Sequence, residues 1–321
     1  MQNPLPVFVQ VILPLSLIWA AGFAARRWLR LDPRPFSRAG LYLMTAPLIF
    51  VKLMESSIQA DEAGRIILVV LLLIGLLWLL STALAWLLRL SPQDRSAFQL
   101  VSVFINAINF GFPAVLLALG EAGLERAVVF AVVHATLNNT LGGYIAARGN
   151  AGGVGQALRQ VLRIPMVYAV LLALFFRLIG FSFTGTISLG NSEISLLPSI
   201  YRAIELLAQG AIPIFLLVLG MQLGAPREPG AITSRISKPM ILTGGLRLIV
   251  SPLLAWGLTT LVGLQGIAAR AVILEAAMPS AVLAVILSTE FNTRPRFVSR
   301  VVVGTTLFSM VTLTLLLSMW G

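Results

Sequence analysis

Charge is what this 321-residue chain has least of: 11% of its residues are Asp, Glu, Lys or Arg, against 58% hydrophobic. A soluble protein of this length has no interior large enough for so much apolar surface, so the chain reads as a polytopic membrane protein. Cysteine is absent, which excludes disulfides and thiolate metal sites. The single histidine, His134, excludes a metal centre built on a histidine cluster. Also missing are a zinc-protease helix motif, a Gly-x-Ser-x-Gly elbow and a phosphate-binding lysine loop, so neither an enzyme nor an ATP-driven pump is indicated, and no cofactor is expected. The glycine-rich stretch at 149–155 follows no strand pattern and reads as a flexible cytoplasmic linker. The net charge of +11 comes from basic residues scattered over short loops. That distribution points to membrane orientation, not to a nucleic-acid partner. Residues 1–25 carry no charge, so the basic leader of a cleavable signal is missing and the segment reads as a first span.

What is present is about ten apolar segments, each near the ~20 residues that cross a bilayer: 5–25, 37–57, 66–88, 95–119, 125–147, 163–183, 198–223, 239–262, 267–289 and 298–320. Lys and Arg concentrate in the odd-numbered connections, such as Arg26, Arg27, Arg30, Arg34 and Arg38 after the first span. Both termini are therefore expected on the non-cytoplasmic side of a cell's inner membrane. Trp19, Trp28, Trp86 and Trp320 lie near span ends, as interfacial anchors do.

Pro47 and Pro213 are separated by the same interval as Pro113 and Pro279. Five spans per half would insert the halves in opposite senses, giving two inverted five-helix repeats, 1–148 and 163–321, joined by a linker at 149–162. Proline removes a backbone donor and breaks a helix. In hydrocarbon such a break persists only where protein or a wet cavity satisfies the backbone. Breaks in the fourth and ninth spans, around FINAINFGFP at 104–113 and EAAMP at 275–279, are therefore the pointer to a binding site.

Several residues there could carry chemistry. Asn106 and Asn109 are three apart and would share a helix face. Gly111 and Pro113 would interrupt the helix, and a second half-helix starting near Ala114 would offer free N–H groups to an anion. Glu275, about 12 Å into its span, is an ionisable group in hydrocarbon and by default a functional one; it could bind a cation or carry a proton. His134, Thr136, Asn138, Asn139 and Thr140 make the fifth span polar enough to line an ion cavity. Arg247 would either snorkel to the interface or pair with an acid or an anionic substrate.

The Asn-x-x-Asn-x-Gly-x-Pro stretch at 106–113, the Ile212-Pro213 to Leu223 stretch, and Ala276-Ala277-Met278-Pro279-Ser280-Ala281 followed by Glu290-Phe291-Asn292 resemble the auxin efflux carrier family. Its members include plant carriers and bacterial permeases for malate and other small carboxylates, and the resemblance spans essentially the whole chain. It implies a ten-helix fold of two inverted repeats with broken crossover helices 4 and 9. Helices 1, 2, 6 and 7 would be a scaffold, and 3–5 and 8–10 a core moving by elevator-like alternating access. Carried over by motif, Asn109 to Pro113 and Met278 to Ser280 fall at the crossover, and a homodimer is implied. The plant carriers have an apolar or small residue where this chain has Glu275. The related bile-acid sodium symporters carry a sodium-binding acid there, in a Glu-x-x-Met-Gln stretch. A sodium site at Glu275, with Asn109 and the span-5 hydroxyls, is the corresponding expectation. The function expected is transport of a small organic anion coupled to Na+ or H+ through Glu275. An uncoupled facilitator, or a ligand-binding receptor on the same fold, is the alternative.

Overall fold

The computed structural model describes residues 4–147, 165–184, 187–189, 192–224 and 237–320, so the expected linker at 149–162 lies outside the described residues. Six helices are long and apolar enough to cross a membrane: α1 (Pro4–Arg27), α2 (Pro33–Met54), α3 (Ala60–Leu87), α7 (Leu196–Leu223), α8 (Lys238–Val262) and α11 (Pro295–Ser318). Between them lie α4 (Pro92–Val103), α5 (Phe112–Ala147), α6 (Pro165–Leu178), α9 (Gly266–Ala276) and α10 (Leu283–Glu290). Helix α5 bends sharply at Gly120, where φ is +68°, a conformation that suits glycine. The protein is thus a polytopic helical membrane protein. A two-stranded hairpin, β1 (Ile187–Leu189) and β2 (Ser192–Ile194), pairs Ile187 with Ile194 and is the one departure from helix among the described elements. Helix α6 is shorter than the 163–183 expected for it.

The apolar run of α3 divides by face. Ile66, Val69, Leu73 and Leu77 are fully buried, whereas Leu68, Leu71 and Leu79 are exposed, as suits one side on protein and one on lipid. Trp28 and Trp86 are exposed, but Trp19 is not an interfacial anchor. It is buried and meets Phe110 edge-on, with ring centroids 4.8 Å apart.

Four turns widen to π geometry: Phe8–Ile12, Ala39–Met44, Ala107–Gly111 and Leu246–Val250. Each ends two or three residues before a proline: Pro14, Pro47, Pro113 and Pro252. Proline lacks the N–H and its ring crowds the carbonyl one turn back. A wider turn lets the chain stay helical past that obstruction. This overturns the expectation that Pro113 ends a half-helix. Pro113 sits inside continuous helix, and the chain breaks upstream, at 104–106. Pro279 does stand in a break, so the equal spacing of Pro113 and Pro279 does not place them equivalently. Pro47 and Pro213 are better matched, since each lies at the start of a second helical portion of its span, Thr45–Met54 and Ala211–Leu223.

Helices α1, α2, α6 and α7 pack on one another, and α3, α4, α5 and α8 to α11 form a second group. The closest approach in the first group is between α1 and α7. A Cβ on Gly22 would overlap the Leu217 carbonyl oxygen and lie 3.0 Å from its carbonyl carbon, and one on Gly220 would lie 2.9 Å from the Trp19 carbonyl carbon. Small residues are what allow two helix backbones to meet this closely in lipid. Gly220→Leu is expected to separate α1 from α7 and cost about 1–3 kcal/mol, read as a lower Tm of the purified protein; an unchanged Tm would mean the contact contributes little.

Candidate functional site

Helix α4 ends at Val103 and α9 at Ala276, and the two non-helical stretches that follow cross in antiparallel sense. Ile105 and Ser280 form the bridge. The Asn106 N–H donates to the Pro279 carbonyl at 2.9 Å, and the Ala281 N–H to the Phe104 carbonyl at 2.9 Å. Neighbouring side chains satisfy more of this exposed backbone. His134 Nε2 accepts from the Ile105 N–H at 3.0 Å. The Ser280 N–H donates to Thr305 Oγ1 at 3.2 Å, and Ser280 Oγ donates to the Val101 carbonyl at 2.6 Å. Broken backbone at membrane depth requires partners of this kind.

Two helices restart at the crossing, one at Ala107 and one at Leu283. The first N–H groups of each have no acceptor within their own helix. Ala107, Ile108 and Asn109 from one, and Ala281, Val282 and Leu283 from the other, line a single cavity of about 530 Å³. Asn106, Asn109, His134, Asn138 and Asn139 line it too. The Asn106 Nδ2, Asn138 Oδ1 and Gln222 Oε1 atoms are buried without a hydrogen-bond partner, which leaves a donor and two acceptors available to a ligand. Among the described residues no Lys or Arg lines this cavity, and Glu290 is the one charged wall residue. A second cavity of about 670 Å³ shares Ser37, Gln222, Val282, Ile286 and Glu290 with the first and adds Arg34 and Arg38.

The remaining expected residues divide differently. Asn106 lies in the break with ψ of 58°, so it does not share a helix face with Asn109, although both reach the cavity. Met278, Pro279, Ser280, Gly111 and Pro113 are buried and do not line it. The second half-helix begins at Ala107, not near Ala114. Thr136 and Thr140 hold their hydroxyls on the carbonyls of Val132 and Thr136, each at 2.8 Å and within their own helix, and neither lines the cavity. Glu275 stands behind the crossing: fully buried, with neither carboxyl oxygen partnered. Its carboxyl lies against Gly111, where a Cβ would come within 2.7 Å of the carboxyl carbon. The expected ion constellation is thus two places, an amide-lined cavity and a separate acid. Among the described residues there is no group of three His, Asp or Glu able to hold a metal.

Arg247 does not snorkel and, among the described residues, meets no acid. It is fully buried and donates to the carbonyls of Ser102, Val103 and Ala276. Sequence reasoning also missed Ser37, Tyr42, Gln222 and Glu290 as cavity lining. Gln222 was the findable one, a polar side chain in the otherwise apolar Ala211–Leu223 segment.

Compared with known proteins, residues 7–317 match the model of the family described as Membrane transport protein. The chain belongs to that family. This family member is 25% identical over 288 residues to an uncharacterized transporter of Methanothermobacter thermautotrophicus, covering 88% of each chain. It is also 25% identical over 234 residues to an uncharacterized transporter of Methanocaldococcus jannaschii, covering 73% of this chain and 70% of the relative. The family is the auxin efflux carrier-like one that the motifs at 106–113 and 276–281 resemble.

Proposed function

We propose that this membrane transport protein is a secondary transporter that moves a small organic anion, a carboxylate, coupled to Na+ or H+ through Glu275. The observation that carries the reading is the cavity at the crossing, where two helix N-termini and four asparagines converge with no basic side chain among the described lining residues. Free N–H groups and the positive end of a helix dipole favour an anion, and asparagine amides add donors without fixing a permanent countercharge. The cavity also lies between the two packing groups: Ser37, Leu41, Tyr42, Pro165, Met166 and Gln222 come from α1, α2, α6 and α7's group, and the other described lining residues from the second. In this reading α1, α2, α6 and α7 are the scaffold, and α3 to α5 with α8 to α11 are the moving core. Counting α4 with α5 up to Gly120, and α9 with α10, as interrupted spans, and α5 beyond Gly120 as a span of its own, gives ten crossings in two inverted repeats, with the core carrying the substrate past the scaffold. Arg34 and Arg38 in the adjoining cavity would draw an anion toward the mouth. On the far side Lys52 pairs with Glu121 at 2.8 Å, and Glu125 accepts from the Ser57 N–H at 3.2 Å, joining scaffold to core. These contacts would close that side and must part when the core moves. The inner membrane, with both termini outside, is the matching location.

The test is uptake of labelled mono- and dicarboxylates into proteoliposomes by wild type and Asn109→Ala. Loss of one hydrogen bond to a charged group, about 1.5–3 kcal/mol, predicts at least a roughly tenfold weaker apparent affinity with Tm unchanged. Uptake by Asn109→Ala equal to wild type would exclude this cavity as the substrate site.

A further inference from the structure

Arg247 stands where α4 and α9 end. Its Nη1 donates to the carbonyls of Ser102 and Val103, each at 3.1 Å, and its Nη2 to the Ala276 carbonyl at 3.0 Å. Nη2 also donates to Ser251 Oγ, which in turn donates to the same Ala276 carbonyl at 2.7 Å. The side chain is fully buried, and among the described residues no carboxylate forms an ion pair with it. Its partners are therefore three main-chain carbonyls and one hydroxyl.

That shell has a specific chemical character. The final carbonyls of a helix are left without intrahelical donors and carry the negative end of its dipole. Two such ends converging in a dry interior repel each other and need a positive charge between them. Carbonyl and hydroxyl oxygens are also what a hard metal cation takes as ligands. A guanidinium keeps its proton under all ordinary conditions and presents its donors in a fixed plane, so it can fill this shell permanently. The π turn Leu246–Val250, forced ahead of Pro252, is what carries Arg247. Ser251, the next residue along, completes the shell.

We infer that the Arg247 guanidinium is a tethered cation, occupying an oxygen cage at the meeting of two helix C-termini that would take a free monovalent cation if the side chain were removed. The crossing is thereby held together by a charge the chain supplies itself, independently of any ion that couples transport at Glu275. The inference stands apart from the transport reading because it concerns the assembly of the crossing, not flux.

The experiment is thermal unfolding of the purified wild type, Arg247→Lys, Arg247→Met and Arg247→Ala. Each is measured in choline, sodium and potassium chloride and in low-millimolar guanidinium chloride. Removing the charge while the carbonyls stay buried is expected to lower the Tm of Arg247→Met by about 10 °C. Arg247→Lys should recover most of that loss. Arg247→Ala should regain Tm with guanidinium, sodium or potassium by more than the wild type shifts in the same salt, so that a cation bound elsewhere cancels. A Tm for Arg247→Met equal to wild type overturns the inference. So does Arg247→Lys as low as Arg247→Met, including failure of both to fold, because volume and not charge would then be what matters. A folded Arg247→Ala indifferent to every cation overturns the cage; if Arg247→Ala does not fold, the Lys and Met pair decides. None of these readings changes if the protein proves to carry no organic anion.

Discussion

Proteoliposomes containing Glu275→Gln are expected to equilibrate the substrate but not to concentrate it, whichever ion gradient is imposed. Glu275 is fully buried and both its carboxyl oxygens lack partners. A carboxylate so placed is very costly unless a charge of opposite sign joins it. In the proposed cycle that compensation is supplied by a transported cation or proton. Glutamine keeps the shape and removes the charge, so the site can no longer take up either. A tenfold accumulation corresponds to about 1.4 kcal/mol of drive, and the mutant should lose all of it while downhill exchange continues. Running the assay once with a sodium gradient and once with a proton gradient identifies which gradient wild type uses. Concentrative uptake by Glu275→Gln with its ion dependence intact would make Glu275 structural and the protein either uncoupled or coupled elsewhere.

Gly111→Ala should disturb the same acid from the other side. The added Cβ would sit 2.7 Å from the Glu275 carboxyl carbon and closer still to its oxygens. Phe112, Val115 and Leu274 are fully buried nearby in the chain, so the glutamate has little room to withdraw. Overpacking of this kind costs about 1–3 kcal/mol, and the displaced carboxyl should no longer bind the proposed coupling ion normally. The decisive form is a double-mutant cycle. Glu275→Ala opens the space the alanine needs, so the Tm loss from Gly111→Ala should largely vanish in that background. Additive losses would show that Gly111 and Glu275 do not share the space the structure gives them.

The breaks in the fourth and ninth spans were legible because glycine, proline and amides inside an apolar run have few explanations in a membrane. Their locations were less so. Pro113 suggested a helix end, but a π turn accommodates it, and only three-dimensional pairing of Ile105 with Ser280 places the interruption seven residues or more upstream. Asn106 and Asn109 were found, but the cavity's other walls, Tyr42, Gln222 and Glu290, come from segments far apart in the chain, and of these only Gln222, polar in an apolar segment, carries a local signal. Thr136 looked like a ligand because hydroxyls suit cations, yet a helical threonine readily bonds the carbonyl one turn back, as this one does. Arg247 was the largest misreading. An arginine eight residues into a span suggests snorkelling or an acid partner, and nothing in the sequence says that its partners are carbonyls, since every residue has one.

The crossing at Ile105 and Ser280 is closed by two hydrogen bonds that involve no side chain. Main-chain bonds are blind to residue identity, so the side chains that face the cavity from this crossing can be exchanged without unmaking the frame that displays them. At this crossing the main-chain bonds are separate from what the cavity recognises, with His134, which both lines the cavity and accepts from the Ile105 N–H, as a residue that joins the two. Recognition of a new solute would then require altered amides and walls around an unaltered cross of backbone, a short route from one cargo to another.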